Sequence, residues 1–200
     1  MKGALTIIAF FVLGVMLGWS GALPLWLSES DLTLYALFFL LFCVGVSVGA
    51  DDTLRRTLAR MQPKILLIPL ATIVGTLLGS FAISFALDHV SATESMAIGS
   101  GFGYYSLSSI FITQYKGAEL GTIALVSNVF REIFALLMAP LLYAAFGKLA
   151  PIAAGGATTM DTTLPVISRV CGRDWIFVAM LHGFVVDLSV PFLVTFLCRF

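Results

Sequence analysis

The chain has 200 residues, of which 60% are hydrophobic and only 11% are charged, and its mean hydropathy is +1.04. Soluble domains carry about 25% charged residues, so this composition excludes a soluble domain and indicates a polytopic membrane protein. Eleven basic residues balance eleven acidic residues, which leaves no net field that would favour nucleic acid as a partner. The three cysteines are too widely spaced for a metal site or a disulfide framework, and no cofactor is predicted.

Apolar runs in the first part of the chain predict three helices that cross about 30 Å of hydrocarbon. They cover Ala4 to Trp19, Leu32 to Ala50 and Ile65 to Leu87. The loop before the second run has no basic residue, whereas the loop after it carries Arg55, Arg56, Arg60 and Lys64. The positive-inside rule therefore predicts a cytoplasmic second loop, a cytoplasmic amino terminus and a carboxyl terminus outside. The same basic loop is expected to contact anionic membrane lipid.

Two later stretches combine glycines with hydroxyl side chains in a way that interrupts a lipid-facing helix. The first is Gly99 to Ser109, and the second is Gly155 to Pro165, with Asp161 at its middle. Irregular backbone survives in a bilayer only where it packs in protein or lines a wet cavity. We therefore expect two broken helices in a single all-α transporter domain over residues 1–200. It would have about seven transmembrane segments, or five if both broken segments are re-entrant.

Polar side chains also interrupt the two apolar runs that follow the broken segments. Asn128, Arg131 and Glu132 lie in the middle of one run, at spacings of three and four residues, so they share a face that must look into the bundle. His182 and Asp187 lie in the last run. A charged side chain at mid-helix costs about 2.5 to 3.5 kcal/mol on insertion scales, so these groups are expected to have partners or a function.

A weak internal repeat relates the two broken segments. A shift of 55 residues aligns Gly101 with Gly156, Ser106 with Asp161, Gly117 with Gly172, Ser127 with His182 and Glu132 with Asp187. Each unit would be a broken segment, a short basic loop and a helix with a central carboxylate. Identity between the units is slight, so chance is the alternative explanation. A true repeat would favour a transporter, in which paired discontinuous helices aim half-helix ends at the substrate.

Two strings carry a resemblance to a known family. They are Ser100-Gly101-Phe102-Gly103-Tyr104-Tyr105-Ser106-Leu107-Ser108 and Gly156-Ala157-Thr158-Thr159-Met160-Asp161-Thr162-Thr163-Leu164-Pro165-Val166, with Asn128-x-x-Arg131-Glu132 between them. With these strings the chain resembles the bacterial lysine exporters of the LysO type, over essentially its whole length and over about the carboxyl-terminal two-thirds of longer members. The resemblance implies export of L-lysine and toxic lysine analogues across the inner membrane, driven by the proton gradient. It also leaves room for a homodimer or a small membrane partner subunit.

The resemblance assigns the family's intramembrane carboxylates to Asp161 and Glu132, whereas the compared member has an uncharged residue at Asp187. We predict proton coupling by Asp161, Glu132 and Asp187, because a carboxylate in low dielectric can alternate between proton and ammonium. Predicted substrate ligands are Tyr104, Tyr105, Ser106, Ser108, Asn128, Arg131, Thr158, Thr159, Thr162 and His182. Structural alternatives exist: Asp161 could cap a half-helix, Glu132 could form an ion pair, and His182 could bridge helices.

Two other functions use the same carboxylates. A cation or anion antiporter of different substrate would share the broken-helix plan, and only a substrate test separates it from lysine export. An intramembrane aspartyl protease would pair Asp161 with Asp187. The chain has no Gly-x-Gly-Asp string, no Tyr-Asp pair and no His-Glu-x-x-His. The motifs therefore favour a transporter over an enzyme.

Overall fold

The computed structural model describes residues 63–200 without a gap and, before them, residues 12–14, 16–20, 35, 39, 42, 46 and 50. The chain forms two compact units, residues 1–61 and residues 62–200. In the first unit the described residues are helical, with turns at Ser20 and Ala50. The rest of the predicted spans Ala4 to Trp19 and Leu32 to Ala50, and of the basic loop, lies outside the described residues.

Residues 63–200 form helices and turns, with no strand among them. Three of the helices are long and apolar enough to cross a membrane. The all-helical architecture is confirmed for this part of the chain, whereas the count of seven spans is not. In chain order the helices are α1 (Leu67–Ser84), α2 (Ala92–Gly99), α3 (Tyr105–Lys116), α4 (Ala118–Phe146), α5 (Leu149–Gly155), α6 (Leu164–Cys171) and α7 (Ile176–Leu197). Short 3-10 helices cover Pro63–Leu66, Gly156–Met160 and Arg173–Trp175.

The first broken segment, α2 to α3, folds back on itself, and we call it hairpin A. Its start and its end are adjacent, because Lys116 Nζ lies 3.9 Å from Glu94 Oε1. Glu94 and Ser91 form a capping box at the start of α2, and the hydrogen bonds from Ser91 hold the pKa of Glu94 below its usual value. Glu94 is thus available as an anion for Lys116. Hairpin A begins and ends on the same side of the bundle, as a re-entrant segment does.

The second broken segment, α5 to α6, is hairpin B and is built in the same way. The Cys171 thiol donates to the Lys148 carbonyl at 3.4 Å, which brings the end of α6 to the start of α5. Ile152 and Ile167 belong to one buried cluster with Cys171 between the two arms. Lys148 Nζ also lies 5.6 Å from the centre of the Trp175 ring, at the entry to α7. Hairpin B therefore also begins and ends on one side of the bundle.

The two hairpins enter the bundle from opposite ends. Helix α4 begins directly after hairpin A and ends directly before hairpin B, and its 29 residues span about 44 Å. The hairpin tips meet between these ends, where the Ala157 N–H donates to the Phe102 carbonyl at 2.9 Å. The bundle therefore holds two breaks in helical structure face to face, deep inside it.

The geometry supports the 55-residue repeat. Each unit consists of a hairpin and one long helix, α4 or α7. The glycines that join hairpin to helix have nearly the same backbone conformation: φ 95° and ψ 168° at Gly117, and φ 97° and ψ 159° at Gly172. Residues other than glycine rarely adopt this combination of φ and ψ. Because each unit crosses the bundle once, the second unit runs opposite to the first, which is the inverted arrangement of many transporters.

Candidate substrate site at the hairpin tips

A cavity of about 180 Å³ lies where the two hairpin tips meet α4 and α7. Hairpin A contributes the start of α3, and hairpin B contributes the 3-10 helix and the turn after it. The lining residues are Gly103, Tyr104, Tyr105, Ser106, Glu132, Ala157, Thr158, Met160, Asp161, Thr162 and Asp187. Irregular backbone inside the bundle thus lines a cavity, as the bilayer requires.

Three carboxylates from three different elements line this cavity. Glu132 lies at the midpoint of α4, and Asp187 lies close to the midpoint of α7. Both are at mid-helix, and Asp161 follows the 3-10 helix of hairpin B. No basic side chain lines the cavity among the described residues. The site therefore concentrates negative charge near the middle of the bundle.

Asp161 does not cap the second half-helix of hairpin B. Helix α6 begins after Thr163, and no side chain caps its first turn. The Asp161 carboxylate accepts a hydrogen bond only from the next backbone N–H, that of Thr162, among the bonds of the described residues. Both residues are exposed. The carboxylate is thus open to the cavity and to whatever enters it.

Hairpin A presents the start of α3 to the same cavity. Tyr104 is the residue before the helix, and its side chain makes no capping bond. Tyr105 and Ser106 are the first two helical residues, and both line the cavity. Unsatisfied backbone N–H groups give a helix amino terminus about half a positive charge. One wall of an otherwise acidic site therefore attracts anions.

Asn128 on α4 fixes the tip of hairpin A. Its Oδ1 accepts from Gly103 N at 2.8 Å, and its Nδ2 donates to the carbonyl oxygens of Ile98 and Ala124 at 3.0 and 2.9 Å. The side chain is only 3% exposed. Asn128 therefore ties α4 to both sides of the break and lies behind the cavity wall.

Arg131 faces hairpin B instead of the cavity. Its guanidinium donates to the carbonyl oxygens of Ala154 and Ala153 at 3.1 and 3.2 Å, and to Thr76 Oγ1 at 3.2 Å. It also lies 5.6 Å from the centre of the Phe102 ring at the tip of hairpin A. A cation at the carboxyl end of α5 stabilises the helix end that the break exposes. Arg131 thus links both hairpins to α1.

His182 lies behind the tip of hairpin B and is almost fully buried. Its Nε2 is 2.9 Å from Thr72 Oγ1 on α1, and its Nδ1 is 3.2 Å from Thr159 Oγ1 on hairpin B. The next residue, Gly183, has no room for a side chain, because a Cβ would lie 2.6 Å from Met160 N. Helix α7 therefore packs directly on the backbone of the tip.

The predicted site residues divide into two groups. Those that line the cavity are Tyr104, Tyr105, Ser106, Glu132, Thr158, Asp161, Thr162 and Asp187. Those that lie behind it are Ser108, Asn128, Arg131, Thr159 and His182. The substrate-binding and proton-coupling roles of both groups stay predictions. The sequence did not single out Ala157 or Met160, whose only signal was their place in the second broken segment. Among the described residues, no three His, Cys, Asp or Glu side chains are grouped to hold a metal ion.

Comparison with known proteins places the chain in a family. The family model for the lysine exporter LysO matches residues 8–198. The chain is 34% identical over 186 residues to the lysine exporter LysO of Escherichia coli (strain K12), which covers 92% of this chain and 60% of that protein. It is 32% identical over 193 residues to a protein of Haemophilus influenzae (strain ATCC 51907 / DSM 11121 / KW20 / Rd) named "Putative lysine exporter", which covers 94% of this chain and 95% of that protein. No solved structure is significantly similar. The chain belongs to the lysine exporter LysO family.

Proposed function

We propose that this protein exports L-lysine and lysine analogues across the bacterial inner membrane in exchange for protons. Family membership supports amino-acid export, and three long apolar helices support a multi-pass membrane protein. The observation that carries the proposal is the cavity between the hairpin tips, where Glu132, Asp161 and Asp187 meet without a basic side chain. Such a site attracts organic cations.

Lysine has charged groups that this cavity complements. Its two ammonium groups pair with carboxylates, and its carboxylate lies at the start of α3, beside Ser106. The faces of Tyr104 and Tyr105 add cation–π attraction for an ammonium group. Arg131, which has a guanidinium suited to carboxylates, is engaged by hairpin B and α1. The start of α3 therefore takes the place of a basic side chain.

Coupling follows from competition for the same negative charge. A carboxylate in the middle of the bundle is costly as a bare anion, so it holds either a proton or the substrate ammonium. Lysine leaves Asp161 when a proton arrives from outside, and the proton leaves when lysine arrives from the cytoplasm. Exchange of one for the other moves lysine outward at the expense of the proton gradient.

The inverted hairpins supply access from the two sides. The base of hairpin B has Lys148, Arg169 and Arg173 nearby, whereas Lys116 lies with Asp88 and Glu94 near the base of hairpin A. By the positive-inside rule hairpin B faces the cytoplasm and hairpin A faces the outside. Alternate movement of the two hairpins would then open the cavity to one side at a time. This orientation agrees with a cytoplasmic amino terminus and an outer carboxyl terminus.

A partner or a second copy of the chain belongs to this proposal. The chain spans 60% of the length of the Escherichia coli relative and 95% of the Haemophilus influenzae relative. We propose that a homodimer or a small membrane subunit completes the transporter where further spans are needed. An antiporter for another cation would use the same carboxylates, so the substrate must be tested directly.

The test is lysine efflux from proteoliposomes at several imposed pH gradients. We expect efflux from vesicles with the native chain to rise as the outside is made more acidic, and Asp161→Asn to abolish it. Asp174→Asn, a matched change outside the cavity, should leave efflux unchanged. Native-like efflux by Asp161→Asn would refute the coupling role of this carboxylate. No lysine movement by the native chain, alone or with a partner subunit, would refute lysine as the substrate.

A further inference from the structure

We propose that the cavity recognises its substrate through two ammonium groups, so that linear diamines of the chain length of lysine, such as 1,5-diaminopentane, also bind there. One ammonium pairs with Asp161 and the other with Asp187. The inference rests on the site of the proposed function and adds a substrate class to it. It concerns which charged groups of lysine contribute most to binding at this site.

The charges around the cavity favour a ligand with two positive groups. Three carboxylates line it, and no basic side chain does so among the described residues. The nearby Arg131 directs its donors to Ala153, Ala154 and Thr76. If Asp161 and Asp187 each hold an ammonium, Glu132 remains to hold a proton. A ligand with one ammonium leaves two carboxylates without a cation.

The carboxylates come from three separate elements, so a ligand with two ammonium groups can contact two of these elements at once. The elements are α4, α7 and hairpin B. The cavity of about 180 Å³ is somewhat larger than the engineered cavity of ~150 Å³ that holds benzene. It therefore has room for a short alkyl chain between two ammonium groups.

The sizes of two contributions to affinity show which charged group of lysine matters most for binding. A helix amino terminus such as that of α3 contributes about thirtyfold in affinity at most. When the bound ligand excludes water from the cavity, its ion pairs are desolvated, and loss of one partner from a desolvated pair costs at least about a hundredfold. Removal of the lysine carboxylate should therefore weaken binding less than removal of either ammonium. A diamine keeps both stronger contacts.

The experiment measures binding to the purified full-length chain by calorimetry, with lysine, 1,5-diaminopentane, pentylamine and 6-aminohexanoate. We expect the diamine to bind within about thirtyfold of lysine, and both ligands with one ammonium to bind at least about a hundredfold more weakly. Asp187→Asn should reduce the preference for diamine over pentylamine at least about tenfold, whereas Asp174→Asn should not. Equal binding of diamine and pentylamine by the native chain would overturn the inference.

Lysine efflux in the same preparation separates this inference from the proposed function. Lysine efflux without competition from 1,5-diaminopentane would overturn the diamine site and leave the exporter standing. Diamine binding without any lysine binding or efflux would support the two-ammonium site and refute lysine export. The ligand series on the native chain gives an answer even if Asp187→Asn does not fold.

Discussion

Asn128, Arg131 and Glu132 lie within two turns of α4, yet their polar groups have different surroundings. Asn128 bonds to hairpin A, Arg131 bonds to hairpin B, and Glu132 lines the cavity. Their spacing predicts one inward face, and all three do point into the bundle. The spacing cannot predict which partner each side chain has. The partners belong to two hairpins that are distant from α4 residues in the sequence pattern and close to them only in the fold.

We expect Asn128→Leu to destabilise the protein and to reduce lysine efflux. The substitution leaves the buried Gly103 N–H without its acceptor, which alone costs about 1–3 kcal/mol. Thermal unfolding in detergent should show the loss. Gln114→Leu is the matched control, because Gln114 is exposed on α3. Equal unfolding temperatures for the two variants would show that Asn128 does not hold the tip.

The sequence predicts that both segments are broken, but it does not predict that each segment turns back on itself. Clustered glycines and hydroxyl residues place the breaks at the observed positions, next to Gly101 and Gly156. The same composition suits a helix that crosses and one that turns back. The choice is made by contacts between the hairpin ends, such as that of Lys116 with Glu94, which local patterns do not contain.

The close packing of α7 on hairpin B gives a test of this element. We expect Gly183→Ala to cost about 1–3 kcal/mol, since the new Cβ would press on the backbone of Met160 and Ala157. Gly75→Ala is the control, because Gly75 lies in α1 with open space around its Cα. There alanine should be neutral or stabilise by up to about 1 kcal/mol. Similar unfolding temperatures for both variants would contradict the packing of the tip against α7.

For the whole molecule, charge and hydropathy alone predict a membrane protein with a defined orientation. The family resemblance predicts its function class, and family membership agrees with it. The site could be predicted only in part: the string around Asp161 and the tyrosines of hairpin A line the cavity, whereas Thr159 and His182 lie behind it. Polar residues in a membrane helix signal a contact, but sequence does not say whether that contact is with substrate or with protein.

Membrane-impermeant thiol labelling tests the orientation of the hairpins. In a background without Cys43, Cys171 and Cys198, we expect Asp88→Cys and Glu119→Cys to be labelled in intact cells. Lys148→Cys and Arg173→Cys should be labelled only after permeabilisation. The first pair flanks hairpin A and the second pair flanks hairpin B. Labelling of Asp88→Cys and Glu119→Cys from opposite sides would show that hairpin A crosses the membrane completely.

The inverted repeat has a consequence for the origin of the protein. An ancestral gene that encoded one hairpin and one helix would have needed to insert its product in both orientations and to assemble antiparallel pairs. In such a pair, the two identical copies place the same residue on both sides of the cavity. Fusion of two copies fixes one orientation for each and lets them diverge, so that a serine can remain at Ser106 while its counterpart is Asp161. In such a history, duplication is what makes the asymmetry of charge in the cavity possible.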